Sequence, residues 1–283
     1  LNLPEELGTT CGLQMAATPD GRLVVREDSK MCILDRSMRV LQTFSGDDIG
    51  SVAANDDSIF RIECSDAGDE VLKRCSHDGT LAAEYRLEGF SFFSPLLAPG
   101  GLLFCVMYES GGEPDQDEII ALDAQTLQLR HRFGLGLLHN ANQLAVGGDE
   151  LYVCDTNNNR LQVFSFTGEH RRSIVGEWRE PEKLCFAKDR LYLVEREYQD
   201  DDDTDDRNPL QRRRLLVLSL QGDILQVVTH PTDPTAEFMS ICCFNHKLLA
   251  AYRYRKWGTG SGVHEVGLVP WTYRYGMLAL QGL

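Results

Sequence analysis

The sequence lacks the patterns that mark zinc-binding, glycosylated and membrane-spanning proteins. Its cysteines contain no C-x-x-C spacing for a zinc site, and no N-x-S/T glycosylation acceptor occurs. No apolar run approaches the roughly 20 residues that an α-helix needs to cross a bilayer. We therefore expect no membrane segment and no zinc module.

Motifs for the commonest catalytic sites are also missing. The chain has no G-x-S-x-G, no H-E-x-x-H and no G-x-x-x-x-G-K-[ST] pattern. The glycine-rich tract at 258–262 resembles a dinucleotide loop superficially, but it lies between two predicted strands and does not open a helix. We interpret this tract as a hairpin turn.

Positive charge is scarce: the chain has 28 Lys and Arg but 43 Asp and Glu, which gives a formal net charge of −15. Such a balance repels phosphate backbones, which disfavours nucleic acid and leaves two readings: plain solubility, or a partner with basic residues. The nine cysteines are odd in number, and several lie in apolar strand-like runs, where a free thiol packs as a small hydrophobe. This usage is typical of a reducing compartment and predicts a cytoplasmic protein.

What the chain does have is internal repetition. The clearest unit, 143–175, contains four short apolar runs separated by Gly-, Asn- and Thr-Gly-bearing turns. The same order of runs and turns can be laid over the rest of the chain, in units at 12–44, 51–87, 92–133, 183–228 and 238–278. The predicted strands include 58–64, 127–133, 150–155, 190–195 and 273–278. No long amphipathic helical pattern competes with it.

Six such units predict an all-β fold, a six-bladed β-propeller with four antiparallel strands per blade, over residues 1–283 as a single domain. A lone four-stranded sheet cannot bury both faces, whereas a ring of sheets can. A β-sandwich is the alternative, and it is disfavoured because its strands would not fall into groups of four.

One stretch resembles a known family. Residues 151–168 read L-Y-V-C-D-T-N-N-N-R-L-Q-V-F-S-F-T-G, similar to the NHL repeat, in which a strand ending in Asp runs into a D-x-x-N-x-R turn. Asp155, Asn158 and Arg160 stand at those positions. We expect an ion pair between Asp155 and Arg160, and Asn158 can adopt a left-handed conformation at low cost. The resemblance implies a structural role for all three.

The other units keep the apolar frame without this motif, and in the fifth unit an insertion is expected to displace the turn entirely. In a propeller, the connections between second and third strands share one face with the connections between blades. The longest insertions fall there, at 109–117, 198–214 and 257–262. The acidic insertion lacks the spacing of a calcium loop and is expected to stay solvated.

This face is the predicted binding surface, because tryptophan and arginine are frequent interface anchors and the loops there are long. Trp178 and Trp257 have a second interpretation, because either could instead pack between neighbouring blades. The candidate binding residues are His139, Asn140, Trp178, Arg179, Tyr198, Asp200, Asp201, Asp202, Asp203, Asp205, Asp206 and Trp257.

Some six-bladed propellers are lactonases or lyases that hold a divalent metal at the mouth of the central channel. The positions here that could face that channel are Gln14, Asn142, Glu182 and Glu237, with His139 nearby. Two carboxylates and one histidine are few for either a hard cation or zinc. We expect no bound cofactor, and keep a weakly bound divalent cation as the alternative.

The sequence therefore predicts a protein-binding module rather than an enzyme, monomeric or part of a larger intracellular scaffold or ubiquitin-ligase-like chain. Two alternatives belong to other classes. One is a metal-dependent lactonase or lyase working at the channel mouth. The other is an RNA-binding propeller, as found among relatives with NHL repeats.

Overall fold

The fold is described by a computed structural model over residues 14–27, 30–45, 49–64, 70–109, 117–195, 214–229, 236–244, 247–255 and 264–271. These residues form 23 β-strands and one 3-10 turn. No helix in this part of the chain is long and apolar enough to cross a membrane. The all-β prediction is confirmed.

The strands of the first three sheets follow one another in the chain. Sheet 1 contains β1 (Gln14–Ala17), β2 (Leu23–Glu27), β3 (Lys30–Leu34) and β4 (Val40–Ser45). Sheet 2 contains β5 (Ile49–Ala54), β6 (Ser58–Cys64), β7 (Glu70–Ser76) and β8 (Leu81–Tyr85). Sheet 3 contains β9 (Phe90–Ala98), β10 (Leu102–Glu109), β11 (Asp117–Asp123) and β12 (Leu129–Leu138).

The second half of the chain repeats this order. Sheet 4 contains β13 (Ala141–Gly147), β14 (Glu150–Asp155), the 3-10 turn Thr156–Asn158, β15 (Arg160–Ser165) and β16 (His170–Val175). Sheet 5 contains β17 (Pro181–Ala187), β18 (Arg190–Glu195), β19 (Arg214–Leu218) and β20 (Ile224–Thr229). Sheet 6 contains β21 (Ala236–Phe244), β22 (Lys247–Arg255) and β23 (His264–Trp271).

Each sheet is an antiparallel meander in which consecutive strands are hydrogen-bonded neighbours. Within the described ranges, five sheets have four strands, and the sixth has three. Four antiparallel strands per blade is thus confirmed, and five complete blades are seen where six were predicted. The remaining predicted strand, at 273–278, lies outside the described residues.

The middle strands of sheets 1, 3, 4 and 5 are largely buried on both faces, which explains why their sequences contain continuous apolar runs instead of alternating ones. Strand β3 is buried from Met31 to Leu34, whereas the outer strand β4 alternates between half-buried and exposed positions. The middle strands are thus covered by a neighbouring sheet on either side, and the outer strands form the rim.

The apolar core consists of separate clusters, each shared by two successive sheets. The last cluster joins the two ends of the chain, since Cys242, Phe244 and Leu249 of sheet 6 pack with Met15 and Leu23 of sheet 1. The first strands β1 and β21 are also in contact. The sheets are therefore arranged around a closed ring, which is the arrangement of a propeller.

The turn between third and fourth strands recurs with the same chemistry. Asp35, Ser76, Asp123, Ser165 and Ser219 each end or follow a third strand, and each takes part in a side-chain hydrogen bond within its turn. These residue types favour turns because their short side chains can bond to the nearby backbone. The repetition is thus local as well as global.

Neighbouring sheets also pack closely against glycines in these turns. Gly168 has a φ of +88°, and a Cβ built there would lie 2.7 Å from the Cγ of Phe133 in the outer part of sheet 3. At Gly222, with a φ of +98°, a Cβ would lie 2.6 Å from Cγ2 of Ile174 in sheet 4. Only glycine fits both the conformation and the close approach.

Several predicted strand bounds differ from the structure by a few residues, and the largest difference is in sheet 3. The sequence places the fourth strand of unit three at 127–133, but β12 starts at Leu129 and continues to Leu138. Leu127 has a φ of 57° and belongs to the preceding turn. Gly134 and Gly136, both with positive φ, let the strand continue until Leu138 pairs with Asp117.

Candidate functional site

The turn after β14 is organised by one buried carboxylate. Asp155 is fully buried and accepts a hydrogen bond from Arg160 Nε at 2.7 Å. It also accepts from the His139 amide at 2.8 Å, from Asn158 Nδ2 at 3.0 Å and from Gln162 Nε2 at 3.2 Å. The expected ion pair is present, and its connections are those of a structural lock.

The left-handed residue of this turn is Asn159 rather than Asn158. Asn159 has a φ of 53° and caps the 3-10 turn, while Asn158 lies within that turn. The Asn158 side chain donates to both oxygens of Asp155, at 3.0 and 3.1 Å. Its role is therefore hydrogen bonding, and the left-handed conformation belongs to its neighbour.

Sheet 5 contains the same lock in a different sequence. Glu195, at the end of β18, is 1 % exposed and accepts from Arg214 Nε at 2.7 Å and Nη2 at 2.8 Å. It also accepts from the backbone amide of Arg179 at 3.0 Å, as Asp155 does from His139. The sequence between the two residues has no D-x-x-N-x-R motif, and residues 196–213 lie outside the described part of the chain.

Carboxylates also join neighbouring sheets at this edge. Asp117 accepts a hydrogen bond from the Ala141 amide of the next sheet, and Glu70 accepts one from the Phe92 amide at 2.5 Å. Acids at the junction of second and third strands thus reach the connections that lead into first strands. The two kinds of connection share one edge of the molecule, which we call the acidic edge, marked by Glu70, Asp117, Asp155 and Glu195.

Two predicted binding residues lie at the acidic edge in sheet 4. Asn157 Nδ2 lies 3.1 Å from His139 Nε2, and Asn140 Nδ2 donates to Asn157 Oδ1 at 3.0 Å. His139 and Asn140 are half-buried, and Asn140 has a φ of 52°. The structure brings these two residues together beside the Asp155 turn.

Trp178 and Arg179 are placed differently from each other. Trp178 is 3 % exposed and belongs to the apolar cluster between sheets 4 and 5, where its ring packs over Gly176 and Gly222. Trp178 therefore packs between two blades, as its second interpretation predicts, because a buried ring cannot contact a partner. Arg179 is exposed at the acidic edge.

The remaining predicted binding residues lie outside the described part of the chain. They are Tyr198, Asp200, Asp201, Asp202, Asp203, Asp205, Asp206 and Trp257. The strands that flank them are described, so the edge from which each insertion starts is known. Arg214, counted with the insertion in the sequence, is the first residue of β19.

A central cavity of about 370 Å³ is lined by the first strand of every sheet. Polar side chains line it toward the beginnings of these strands, where Gln14 Nε2 donates to Ser51 Oγ at 3.3 Å and Asn142 Nδ2 to Thr156 Oγ1 at 3.1 Å. Toward the strand ends the lining is mainly apolar: Ala17, Ala54, Leu97, Val146, Phe186 and Cys243. Pockets of this volume suit small ligands.

Of the four predicted channel residues, Gln14 and Asn142 line the cavity. Glu182 and Glu237 are buried, at 9 % and 3 % exposure, and are not among the described residues that line it. Each lies at a register shift of its strand, between Pro181 and Lys183 and between Phe238 and Ser240. A β-bulge changes which side chains face the axis.

The predicted metal candidates do not converge. Glu182 Oε1 lies 3.1 Å from Lys183 Nζ, and Asn142 is engaged with Thr156. Among the residues that the structure describes, no group of three or more His, Cys, Asp or Glu side chains is placed to hold a metal ion. The alternative of a channel metal has no ligand set in this part of the chain.

Together, the closed ring of sheets, the locked turns and the central cavity define a β-propeller protein. The NHL repeat family model matches residues 138–164, which confirms the resemblance that the sequence of the fourth unit predicts. No curated protein sequence matches the chain.

Solved structures of propeller proteins are similar over nearly the whole chain. Virginiamycin B lyase from Staphylococcus aureus is 12 % identical, with a TM-score of 0.61 over 95 % of this chain and 87 % of that one. The calcium-binding protein regucalcin from Agrobacterium tumefaciens is 14 % identical, with a TM-score of 0.61 over 90 % and 85 %. BamB from Moraxella catarrhalis is 13 % identical, with a TM-score of 0.51 over 92 % and 83 %. At these identities the likeness shows the fold alone.

Proposed function

We propose that this chain is a protein-binding module whose partner contacts the acidic edge. The observation that supports the proposal is that the long insertions occupy the same position in their sheets. Residues 110–116, 196–213 and 256–263 connect the second and third strands of sheets 3, 5 and 6. In sheets 4 and 5, contacts from the end of the second strand to the incoming first strand place that connection at the acidic edge.

The ring that presents these insertions has six blades in this proposal, and the chain is one domain. Sheet 6 packs on sheet 5 through one apolar cluster and on sheet 1 through another. A sheet with two such neighbours occupies a full position in the ring, and the predicted strand at 273–278 would complete it. Limited proteolysis tests the single domain, because release of two independently folded halves would contradict it.

Charge indicates the chemistry of the partner. The insertion at 196–213 contains six aspartates between 200 and 206, in a chain whose formal net charge is −15. We therefore propose a partner with basic residues. We also propose that this protein acts in the cytoplasm, as a monomer or as one part of a larger chain. The association rate should fall as salt rises.

The experiment compares two variants with equal charge. D200S/D201S/D202S removes three acids from the insertion, and D57S/E169S/D189S removes three exposed acids from turns at the opposite edge. The first variant should capture less native partner from a cell extract and lose part of the salt dependence of the association rate. The second should behave as the parent. Equal capture by all three proteins would refute the proposal.

A second candidate function rests on the central cavity. Its volume and its polar lining fit a small ligand, which keeps the lactonase or lyase alternative open. Elemental analysis of the purified protein tests it: a stoichiometric metal that is retained on purification would favour the enzyme. The RNA alternative is disfavoured by the acidic edge, because carboxylates repel a phosphate backbone.

A further inference from the structure

Cysteines of two neighbouring first strands, Cys185 and Cys243, line the wall of the central cavity. We propose that Cys185 and Cys243 form an oxidation site in which a disulfide joins β17 of sheet 5 to β21 of sheet 6. The inference is independent of the proposed partner. It follows from the strand faces on which the two cysteines lie, from their proximity and from their exposure.

The strand faces are fixed by packing and register. Cys185 packs against the apolar cluster between sheets 5 and 6, and Ile241 belongs to the same cluster. Cys243 follows Ile241 by two positions in a stretch of β21 that pairs without a register shift with β22. Alternate residues of a strand share a face, so Cys243 faces sheet 5 as Ile241 does.

The two residues are close enough to affect each other: burial raises the pKa of the Cys185 thiol, the charge of Cys243 raises it further, and the Cys243 backbone amide lowers it. The neighbouring Cys242 lies on the other face of β21. It packs in the cluster between sheets 6 and 1, with Leu249 and Met15. The adjacent cysteines thus point in opposite directions, as their spacing predicts.

Exposure separates this pair from the other thiols. Seven cysteines are described as free, and Cys185 and Cys243 are the two among them that are not buried. Both line the central cavity, whose volume of about 370 Å³ admits a small reagent, and the buried Cys242 lines it as well. Cys185 and Cys243 are therefore the more accessible of the three thiols at the cavity wall.

The oxidation consumes a low-molecular-weight disulfide, RSSR. One cysteine sulfur attacks a sulfur of RSSR as a thiolate, which breaks its S–S bond, releases one RSH and leaves a mixed disulfide. The second cysteine sulfur attacks the protein sulfur of that intermediate and releases the second RSH. The two thiol protons leave on the two RSH molecules, and the two electrons reduce RSSR.

The environment makes this reaction slow at neutral pH. Burial raises the pKa of the Cys185 thiol to about 12, and it also raises the pKa of Cys243. Both groups are then mainly protonated, whereas the thiolate is the nucleophile. Rising pH should speed the reaction, and a disulfide once formed should resist exchange with outside thiols.

The test uses 2-hydroxyethyl disulfide, which is small enough for the cavity, on the full chain at neutral pH and at about pH 9, where thiolate is more abundant. We expect intact mass to fall by two hydrogen atoms, faster at the higher pH. Peptide mapping should link Cys185 to Cys243 rather than Cys11 or Cys64, whose side chains are not described. The oxidised protein should unfold at a temperature several degrees higher, because the bond restrains the unfolded chain.

Matched variants complete the test. C185A and C243A should each abolish the two-hydrogen mass loss, while C242A should leave it unchanged. Far-UV circular dichroism of each variant verifies folding before oxidation. A mixed disulfide that persists on either cysteine, a link that uses Cys242, or an unchanged mass at the higher pH would overturn the proposal.

Discussion

Replacing Asp155 with alanine should be among the most destabilising single changes in sheet 4. The carboxylate is fully buried and accepts hydrogen bonds from four groups: the His139 amide, Asn158, Arg160 and Gln162. Its loss leaves these donors without their acceptor and leaves the Arg160 guanidinium without its counter-charge. Each such group carries a desolvation cost when it stays unpaired in the interior.

The magnitude follows from the arrangement. Removing one partner of a buried ion pair costs about 3–5 kcal/mol, and hydrogen bonds to charged groups contribute about 1.5–3 kcal/mol each without being additive. We therefore expect D155A to lower the free energy of unfolding by about 3–5 kcal/mol. R160A should cost less, about 1–3 kcal/mol, because the arginine side chain is 32 % exposed and the carboxylate keeps three donors.

Urea unfolding followed by far-UV circular dichroism measures both variants and the double variant D155A/R160A. The double variant should be less destabilised than the sum of the single ones, since the two groups act on each other. Equal losses for D155A and R160A, or a loss below about 1 kcal/mol for D155A, would refute the reasoning. An R160A protein of parental stability that no longer captured its partner would instead assign the turn to binding.

Three further predictions concern stability. G168A should lower the free energy of unfolding by about 1–3 kcal/mol in urea titrations, because the φ of +88° and the nearby Phe133 ring both oppose a Cβ; parental stability would contradict this close packing. R214A should destabilise more than R213A, its neighbour outside the described residues, because Arg214 pairs with Glu195; equal thermal midpoints would remove the second lock. Arg172 holds the pKa of Glu150 at about 2, below its usual 4.5, so this carboxylate adds stability above that usual value and loses it as pH falls toward 2. In acid titrations followed by circular dichroism, E150Q should lose less stability over that range than the parent, and matching curves would contradict the assignment.

The positions of most strands could be predicted from the sequence, because they depend on local information. The bounds predicted for β6, β14 and β18 are those of the structure. Apolar runs of strand length, closed by Gly- and Asp-bearing turns, leave few alternatives for the backbone. The D-x-x-N-x-R turn likewise carries both members of its ion pair within six residues, so the pair between Asp155 and Arg160 could be predicted.

Only the tertiary structure decided the features that depend on segments distant in the sequence or on a β-bulge within a strand. Glu195 and Arg214 are brought together by the pairing of β18 with β19 across an insertion. The sequence did contain a signal for this pair, because an acid ends one strand and an arginine begins the next. Glu182 and Glu237 lie at bulges of β17 and β21, are buried, and are not among the described residues that line the cavity. Trp178 was buried, and Cys185 and Cys243 were brought to one cavity wall, by the packing of one sheet on the next. A short sequence pattern does not encode how two sheets pack, so these contacts exist only once the ring is closed.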